Sequence, residues 1–262
     1  MTIRRRNILI LSLGLGAVVA LALGGYAAVR ARAAGPGAHQ SLAPVATPSH
    51  GPSAAPRPEY ERWTVGRALG PVTVYRQPRH GAPVKTRLGR LNANGYPTLV
   101  LVDTIKEIDG EPWYRVRVAM RPNGSRGWVR QGQLSFYTTT AKIVIDLSER
   151  RLRVYRRGEL KGEFPVAVGR RGMETPTGYF FINQKLRPPY SGGAFGVLAI
   201  GISAFQPKLP DWVQGGPVAI HGTNQDELIG KAVSHGCVRM HNQDVLAVSR
   251  WVPSGSPVIV ER

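Results

Sequence analysis

The run KIVIDL at residues 142–147, followed by SERR at 148–151 and LRVY at 152–155, decides the fold of the C-terminal half. Apolar and polar residues alternate along both outer runs with the period of a half-buried β-strand, and the polar SERR segment is typical of a turn. A third run, FPVAVG at residues 164–169, follows an Arg-Gly turn pair. The three runs therefore predict an antiparallel meander.

Two further strands and one helix complete this half of the chain. GYFFI at residues 178–182 and PVIV at 257–260 have the β-branched and aromatic content of strands. Asn242 is a candidate N-cap for a helix that continues through Trp251. We therefore predict a mainly β domain over residues 141–262 with one or two short helices.

Residues 63–138 carry a second group of strand-like runs, VTVY at 72–75, TLVLV at 98–102 and WYRVRV at 113–118. Asp-Gly and Asn-Gly pairs separate strand candidates, as hairpin turns require. GWV at residues 127–129, before a last short run, resembles the end of a bacterial Src-homology-three-like barrel. The segment has no catalytic constellation, so its expected role is to position a catalytic partner.

The first 29 residues carry a membrane-export signal. Residues 8–29 have no charged side chain, and about 22 such residues make a helix of roughly 33 Å, enough to cross a bilayer. Three arginines at positions 4–6 predict a cytoplasmic N-terminus and an extracytoplasmic location for the rest. An uncleaved anchor is favoured over a cleaved signal peptide, because the small-x-small site at residues 31–33 contains an arginine. Residues 30–62, rich in Ala, Pro, Gly and Ser, predict a disordered tether.

The chain is strongly basic, with 35 Lys and Arg against 16 Asp and Glu and a formal net charge of +19. This charge indicates either solvated surface arginines or an anionic partner such as a wall polymer or membrane head groups. A nucleic-acid partner is not expected, because an exported chain rarely meets one and no recognition pattern is present. We expect a monomer.

The single cysteine of the chain, Cys237, lies in the run SHGCVR at residues 234–239. In an oxidising compartment a lone thiol cannot form an internal disulfide, which favours nucleophilic catalysis. His221, at the end of the strand-like run PVAI, and His235 are both candidate bases. Gly236 permits a tight turn that presents the Cys237 amide to an oxyanion.

Two other interpretations of the cysteine are open. A lone cysteine is often a small core residue, and a metal site could draw on His221, His235, Cys237 and His241. The metal site is disfavoured because the chain has no Cys-x-x-Cys or His-x-x-x-His pair. We predict no metal and no cofactor.

Residues 141–262 resemble the L,D-transpeptidase catalytic domain of the YkuD type. The resemblance rests on the His-Gly pair at residues 221–222, the SHGCVR run, the TPTG run at 175–178 and the GSPV run at 255–258. It implies a β-sandwich fold and a peptidoglycan L,D-transpeptidase that acts outside the cytoplasm on stem peptides. Alternatives on the same fold are an L,D-carboxypeptidase and a lipoprotein-anchoring transpeptidase. A non-catalytic wall-binding module and a metal-dependent hydrolase are alternatives of other classes.

The resemblance also implies roles for individual residues. Cys237 is the expected nucleophile of a thioester intermediate, and His221 is its general base. The expected supporting residues are Gly222, whose carbonyl orients His221, His235, which lines the site, and Gly236, in the oxyanion hole.

Three further residues are predicted to bind substrate: Ser234, Arg239 and Tyr190. A guanidinium can pair bidentately with a stem-peptide carboxylate, although Arg239 has a purely structural role as its alternative. Tyr190 lies in residues 187–195, which form either a lid over the site or a long connection.

Overall fold

The computed structural model describes residues 60–262, and their regular structure is almost entirely β-strand. The predicted anchor at residues 1–29 lies outside the described residues, as does the predicted tether except for its last three positions. Between residues 60 and 262, no helix has both the length and the apolar character needed to span a membrane.

The first sheet consists of seven antiparallel strands. They are β1 (Trp63–Ala68), β2 (Val72–Tyr75), β3 (Val84–Leu88), β4 (Leu99–Ile108), β5 (Glu111–Arg117), β6 (Arg126–Arg130) and β7 (Leu134–Thr139). Their order is β3-β2-β6-β5-β4-β1-β7. The three strands predicted in this segment are confirmed, and the Asp-Gly turn between β4 and β5 has positive φ at both residues. That the sheet is a Src-homology-three-like barrel stays a prediction.

Residues 141–262 contain an eight-stranded sheet, a two-stranded sheet and one α-helix. Its elements are β8 (Ala141–Asp146), β9 (Arg151–Arg156), β10 (Glu159–Pro165), β11 (Val168–Gly169), β12 (Gly178–Leu186), β13 (Ala199–Phe205), β14 (Pro217–His221), β15 (Ala232–Ser234), β16 (Val238–Arg239), α1 (Asn242–Trp251) and β17 (Pro257–Glu261). The strand order of the larger sheet is β10-β9-β8-β17-β12-β13-β14-β16, and β11 pairs with β15.

The predicted antiparallel meander is confirmed, because β8, β9 and β10 are neighbours in that order. The predicted bounds of its third strand, residues 164–169, are wrong, because β10 ends at Pro165 and Val168–Gly169 pair with β15 in the two-stranded sheet. Along β8, residues Ile143 and Ile145 are completely buried and alternate with half-buried residues, as the sequence period requires. Burial of each such side chain stabilises the fold by about 1.5–3 kcal/mol. Val245 and Val248 of α1 join the same core. The mainly β fold class is confirmed.

The predicted N-cap of the helix is wrong. His241 occupies the cap position and makes no side-chain cap bond, while Asn242 is the first helical residue. The Asn242 amide instead accepts from Val197 N at 3.1 Å and donates to Thr223 O at 2.9 Å. The Asn242 side chain therefore links two loops, and its amide oxygen and nitrogen both have a hydrogen-bond partner without capping the helix.

The two sheets share a small buried contact. Val65, Leu99 and Leu101 of the first sheet pack with Phe181 of β12. The Tyr137 hydroxyl adds a bond to the carbonyl of residue 254 at 2.9 Å. The first sheet therefore covers β12 and the segment before β17.

Candidate active site

One cavity of about 460 Å³ brings together most of the predicted site residues. The β14 strand, the turn before β16 and the connection between β12 and β13 all contribute to its wall. The predicted residues that line it are His221, Ser234, His235, Cys237 and Arg239.

His221 is the last residue of β14 and is 3% exposed. Its Nδ1 lies 2.6 Å from the carbonyl oxygen of Gly222. A carbonyl can only accept, so Nδ1 carries the proton and Nε2 has a free lone pair. The ring of Phe195 packs 4.9 Å from the imidazole, centroid to centroid. His221 therefore has the tautomer and the rigid support that a general base needs.

Burial lowers the pKa of His221 to about 4, and the positive charge of Arg239 acts in the same direction. The hydrogen bond to Gly222 raises this pKa but does not offset the burial. At neutral pH the imidazole is consequently uncharged and able to accept a proton.

Cys237 is half-buried and forms no disulfide. Burial raises the pKa of Cys237, while a backbone hydrogen bond with Ala219 and the charge of Arg239 lower it by less. With His221 neutral as well, the site holds a neutral thiol and imidazole rather than a thiolate–imidazolium pair.

The turn before Cys237 is closed by the hydroxyl of Ser234, which is 1% exposed. This hydroxyl accepts from Gly236 N at 3.0 Å and donates to the Cys237 carbonyl at 2.5 Å. Since the Gly236 amide is already used, the Cys237 amide is the candidate oxyanion donor of the turn. The hydrogen bonds that the structure assigns to the Ser234 hydroxyl both lie within the turn.

His235 is exposed, and its Nε2 lies 2.9 Å from Nη1 of Arg170. A guanidinium has no acceptor, so Nε2 of His235 accepts this bond. Of the two histidines that sequence left open as the base, only His221 has a ring lone pair that no hydrogen bond among residues 60–262 uses.

Arg239 lines the cavity and has one buried donor that the described residues leave unused. Its Nη1 donates to Gln225 at 3.3 Å. Its Nε is buried and, among the described residues, has no hydrogen-bond partner. A buried donor without a partner is costly, and a bound carboxylate would satisfy it.

Tyr190 is not brought to the cavity. Its side chain is 71% exposed, and the residues of its segment that line the cavity are Pro188, Pro189, Ala194 and Phe195. The connection between β12 and β13 thus covers His221 through Phe195, at the end of the predicted segment.

Of the four metal ligands considered from sequence, His221, His235 and Cys237 line the cavity and His241 does not. His241 bonds instead to Asp226, with Nδ1 and Oδ1 3.0 Å apart. Among residues 60–262, no group of three or more His, Cys, Asp and Glu side chains could hold a metal ion.

Gln206 is a site residue that sequence reasoning missed. It is 3% exposed, and its Nε2 donates to the carbonyls of His235 at 3.1 Å and Glu174 at 3.0 Å. A Cβ on Gly236 would lie 2.4 Å from this same nitrogen. The side chain therefore packs directly beneath the cysteine turn, where no local sequence pattern marks it.

Replacing Gly236 by alanine is expected to lower the free energy of unfolding by about 3 kcal/mol, from backbone strain together with overpacking. Its φ is +120°, and Gln206 blocks the space for a methyl group. Gly230 is a matched control, because it has φ of +86° but nothing within 4 Å. Its alanine variant should lose only about 1 kcal/mol. Urea denaturation measures both, and equal losses would contradict the role of Gln206.

Comparison with known proteins identifies similar chains. The family model described as the YkuD L,D-transpeptidase catalytic domain matches residues 140–260. The candidate L,D-transpeptidase YkuD of Bacillus licheniformis is 40% identical over 123 residues, which are 47% of this chain and 67% of that protein. Its counterpart in Bacillus subtilis is 36% identical over 126 residues, 48% of this chain and 69% of that protein. A solved L,D-transpeptidase from Mycobacterium tuberculosis H37Rv superposes with a TM-score of 0.41 at 18% identity, over 62% of this chain and 98% of that one.

Proposed function

This chain belongs to the YkuD family of L,D-transpeptidases, and on that premise we propose that it forms 3→3 cross-links between peptidoglycan stem peptides with Cys237 as nucleophile. One observation carries the choice of residues. His221, with Nδ1 bonded to Gly222 and Nε2 free, lines the same cavity as the single thiol of the chain.

In the first half-reaction the Cys237 thiol gives its proton to Nε2 of His221 as the sulfur attacks the carbonyl carbon of the third stem residue. The Cys237 amide donates to the oxyanion that forms. The bond to the terminal D-alanine then breaks, and the leaving amine takes the proton from His221. The product is a thioester that carries the shortened stem.

In the second half-reaction the side-chain amine of another stem attacks the thioester. The amine loses a proton to His221, the carbon–sulfur bond breaks, and the sulfur recovers the proton. Arg239 is proposed to pair with a stem carboxylate through its Nε, which has no hydrogen-bond partner between residues 60 and 262. His235 lines the entrance of the site, and Ser234 shapes the turn. A substrate contact for Tyr190 requires the exposed ring to swing toward the cavity.

The remaining segments are proposed to bring this site to the wall. An anchor at residues 1–29 and a tether at 30–62 would hold the enzyme on the outer side of the cytoplasmic membrane. Residues 63–138 form the proposed Src-homology-three-like domain, and residues 141–262 form the catalytic domain. The net charge of +19 favours contact with anionic wall polymers.

Mass spectrometry of the full-length chain with a tetrapeptide stem tests the proposal. We expect an adduct on Cys237 equal to the stem minus D-alanine, and a cross-linked dimer when a second stem is added. A free tripeptide alone would identify a carboxypeptidase, and transfer only to a lipoprotein amine would identify an anchoring enzyme. Folded protein that forms no adduct would contradict the proposal. Protein blocked by iodoacetamide is the control, because the chain has one cysteine.

A further inference from the structure

The turn between β5 and β6 reaches from the first sheet to the loop that walls the cavity. Arg121 in this turn is half-buried. Its Nη2 donates to the carbonyls of Gln206 and Gly215, both at 2.6 Å, and to that of Leu209 at 3.3 Å. Its Nε adds a second bond to Gly215 at 3.1 Å. One guanidinium thus holds three carbonyls of residues 206–216, the loop between β13 and β14.

A neighbouring side chain ties down the start of the same loop. The Asn123 amide donates to the Phe205 carbonyl at 2.8 Å and accepts from the Phe205 amide at 2.8 Å. This reciprocal pair imitates a strand pairing between the first sheet and the end of β13. The chain is therefore held by Asn123 at Phe205, just before the loop, and by Arg121 at residues 206, 209 and 215 of the loop.

The held loop forms one wall of the candidate active site. Leu209, Trp212 and Val213 all line the cavity. Three successive residues of the loop, 214–216, have positive φ values of 56°, 77° and 67°. A backbone segment with several positive φ values keeps a single conformation only where contacts from neighbouring residues hold it. Arg121 provides such contacts, because it bonds to the carbonyl of Gly215 through two nitrogens.

The contact continues from the loop to the nucleophile. Arg121 bonds to the carbonyl of Gln206, and the side chain of Gln206 bonds to the carbonyl of His235. The same amide nitrogen lies against Gly236, the residue before Cys237. A contiguous path of hydrogen bonds and close packing therefore joins the first sheet to the cysteine turn.

We propose that Arg121 and Gln206 are positioning residues for acylation, through which the first sheet holds the Cys237 turn and its oxyanion-binding amide in place. The proposal rests on the proposed function and gives the first sheet a part in it. The proposal can be distinguished from a merely stabilising contact. It predicts that the rate of acylation, which forms an oxyanion, falls when the contact is lost, while the reactivity of the thiol toward a small alkylating reagent does not.

The test compares two reactions of Cys237 in the full-length Arg121→Ala variant. Acylation by the tetrapeptide stem passes through an oxyanion, whereas alkylation by iodoacetamide is a direct displacement that does not. We expect saturating acylation to slow about 10–100-fold, because small displacements of reacting groups have effects of this size. Alkylation should stay within about twofold of the wild type. Arg121→Lys, which keeps the charge but not the fork of donors, should recover part of the acylation rate.

Arg130→Ala is the matched control. Arg130 is also a half-buried arginine of the first sheet, but it bonds to Glu111 at 2.8 Å. Its variant should acylate at the wild-type rate. A Gln206→Ala variant should resemble Arg121→Ala, and the double variant should be no slower than about the slower single variant, since both changes break one path.

Three results would overturn the proposal: an unchanged acylation rate in Arg121→Ala, a parallel change of acylation and alkylation, or effects of the two variants that multiply. The first of these leaves the proposed function intact, because the wild type and the variant would both form the adduct. Absence of the adduct in the wild type would instead remove the proposed function itself.

Discussion

Replacing Cys237 by alanine is expected to abolish the acyl adduct and to lower cross-linking by about 10⁴-fold or more, as for removal of other catalytic nucleophiles. The thiol is the single one in the chain, so no neighbouring cysteine can replace it. The neutral imidazole of His221 cannot compensate, because its role is to move a proton and not to hold the acyl group. Single-turnover mass spectrometry and product analysis measure the two effects.

The Cys237→Ala variant must be shown to keep its fold. Cys237 lies in a loop turn and is half-buried, so a loss of at most about 1–2 kcal/mol in stability is expected. A Cys237→Ser variant is the conservative comparison, since it keeps a nucleophile that the same base could activate only weakly. Turnover that survives in folded Cys237→Ala and falls with a chelator would point to a metal-dependent hydrolase.

The strands of the fold that show a clear period were predictable from sequence. β8 and β9 alternate and are joined by a polar turn, so local pattern alone specifies them. β13 is not predicted, because its residues are apolar or small and six of the seven are buried, which removes the period. The parallel pairing of β17 with β8 joins residues about a hundred positions apart, and local sequence carries no sign of it.

The residues of the site also fall into two groups, those that a local sequence motif marks and those that only the tertiary structure reveals. Cys237 and His221 are recognisable because their neighbours in sequence carry the motif. Gln206 and Arg121 donate to backbone carbonyls of residues far away in the chain. Every residue has a backbone carbonyl, so the amino-acid type of the accepting residue gives no sign of such a bond. Asn242 was open to misassignment because asparagine suits an N-cap as well as a loop bridge, and only the tertiary structure decides between them.

Replacing His221 by glutamine is expected to slow acylation about 10²–10⁴-fold, the usual contribution of a general base. Glutamine can still donate to the Gly222 carbonyl, so the support of the loop is kept while the proton acceptor is lost. His241→Gln is the matched control, because His241 bonds to Asp226 and does not line the cavity. That variant should acylate normally.

The pH dependence of acylation should follow the neutral form of His221. Its pKa of about 4 in the folded protein means that the base is available at all higher pH values, and that the rate falls only as pH drops through about 4. The raised pKa of Cys237 keeps the thiol protonated through neutral pH. The rate should therefore be level between about pH 5 and 8. An acid limb centred at pH 6–7 would instead indicate a base without the burial seen here.

The lowered pKa of His221 should also make the free energy of unfolding depend on pH. The imidazole has a pKa of about 4 in the folded protein and near 6.5 in the unfolded chain, so the unfolded chain binds the proton more readily. Between pH 6.5 and 4 the unfolded state binds the extra proton, so the free energy of unfolding must fall as pH falls, by about 3 kcal/mol in total. His221→Gln should lose this part of the pH dependence, and His241→Gln should keep it. If urea denaturation at pH 7 and pH 4 shows the same difference in all three proteins, burial does not lower the pKa of His221, and the level rate between about pH 5 and 8 is not expected either.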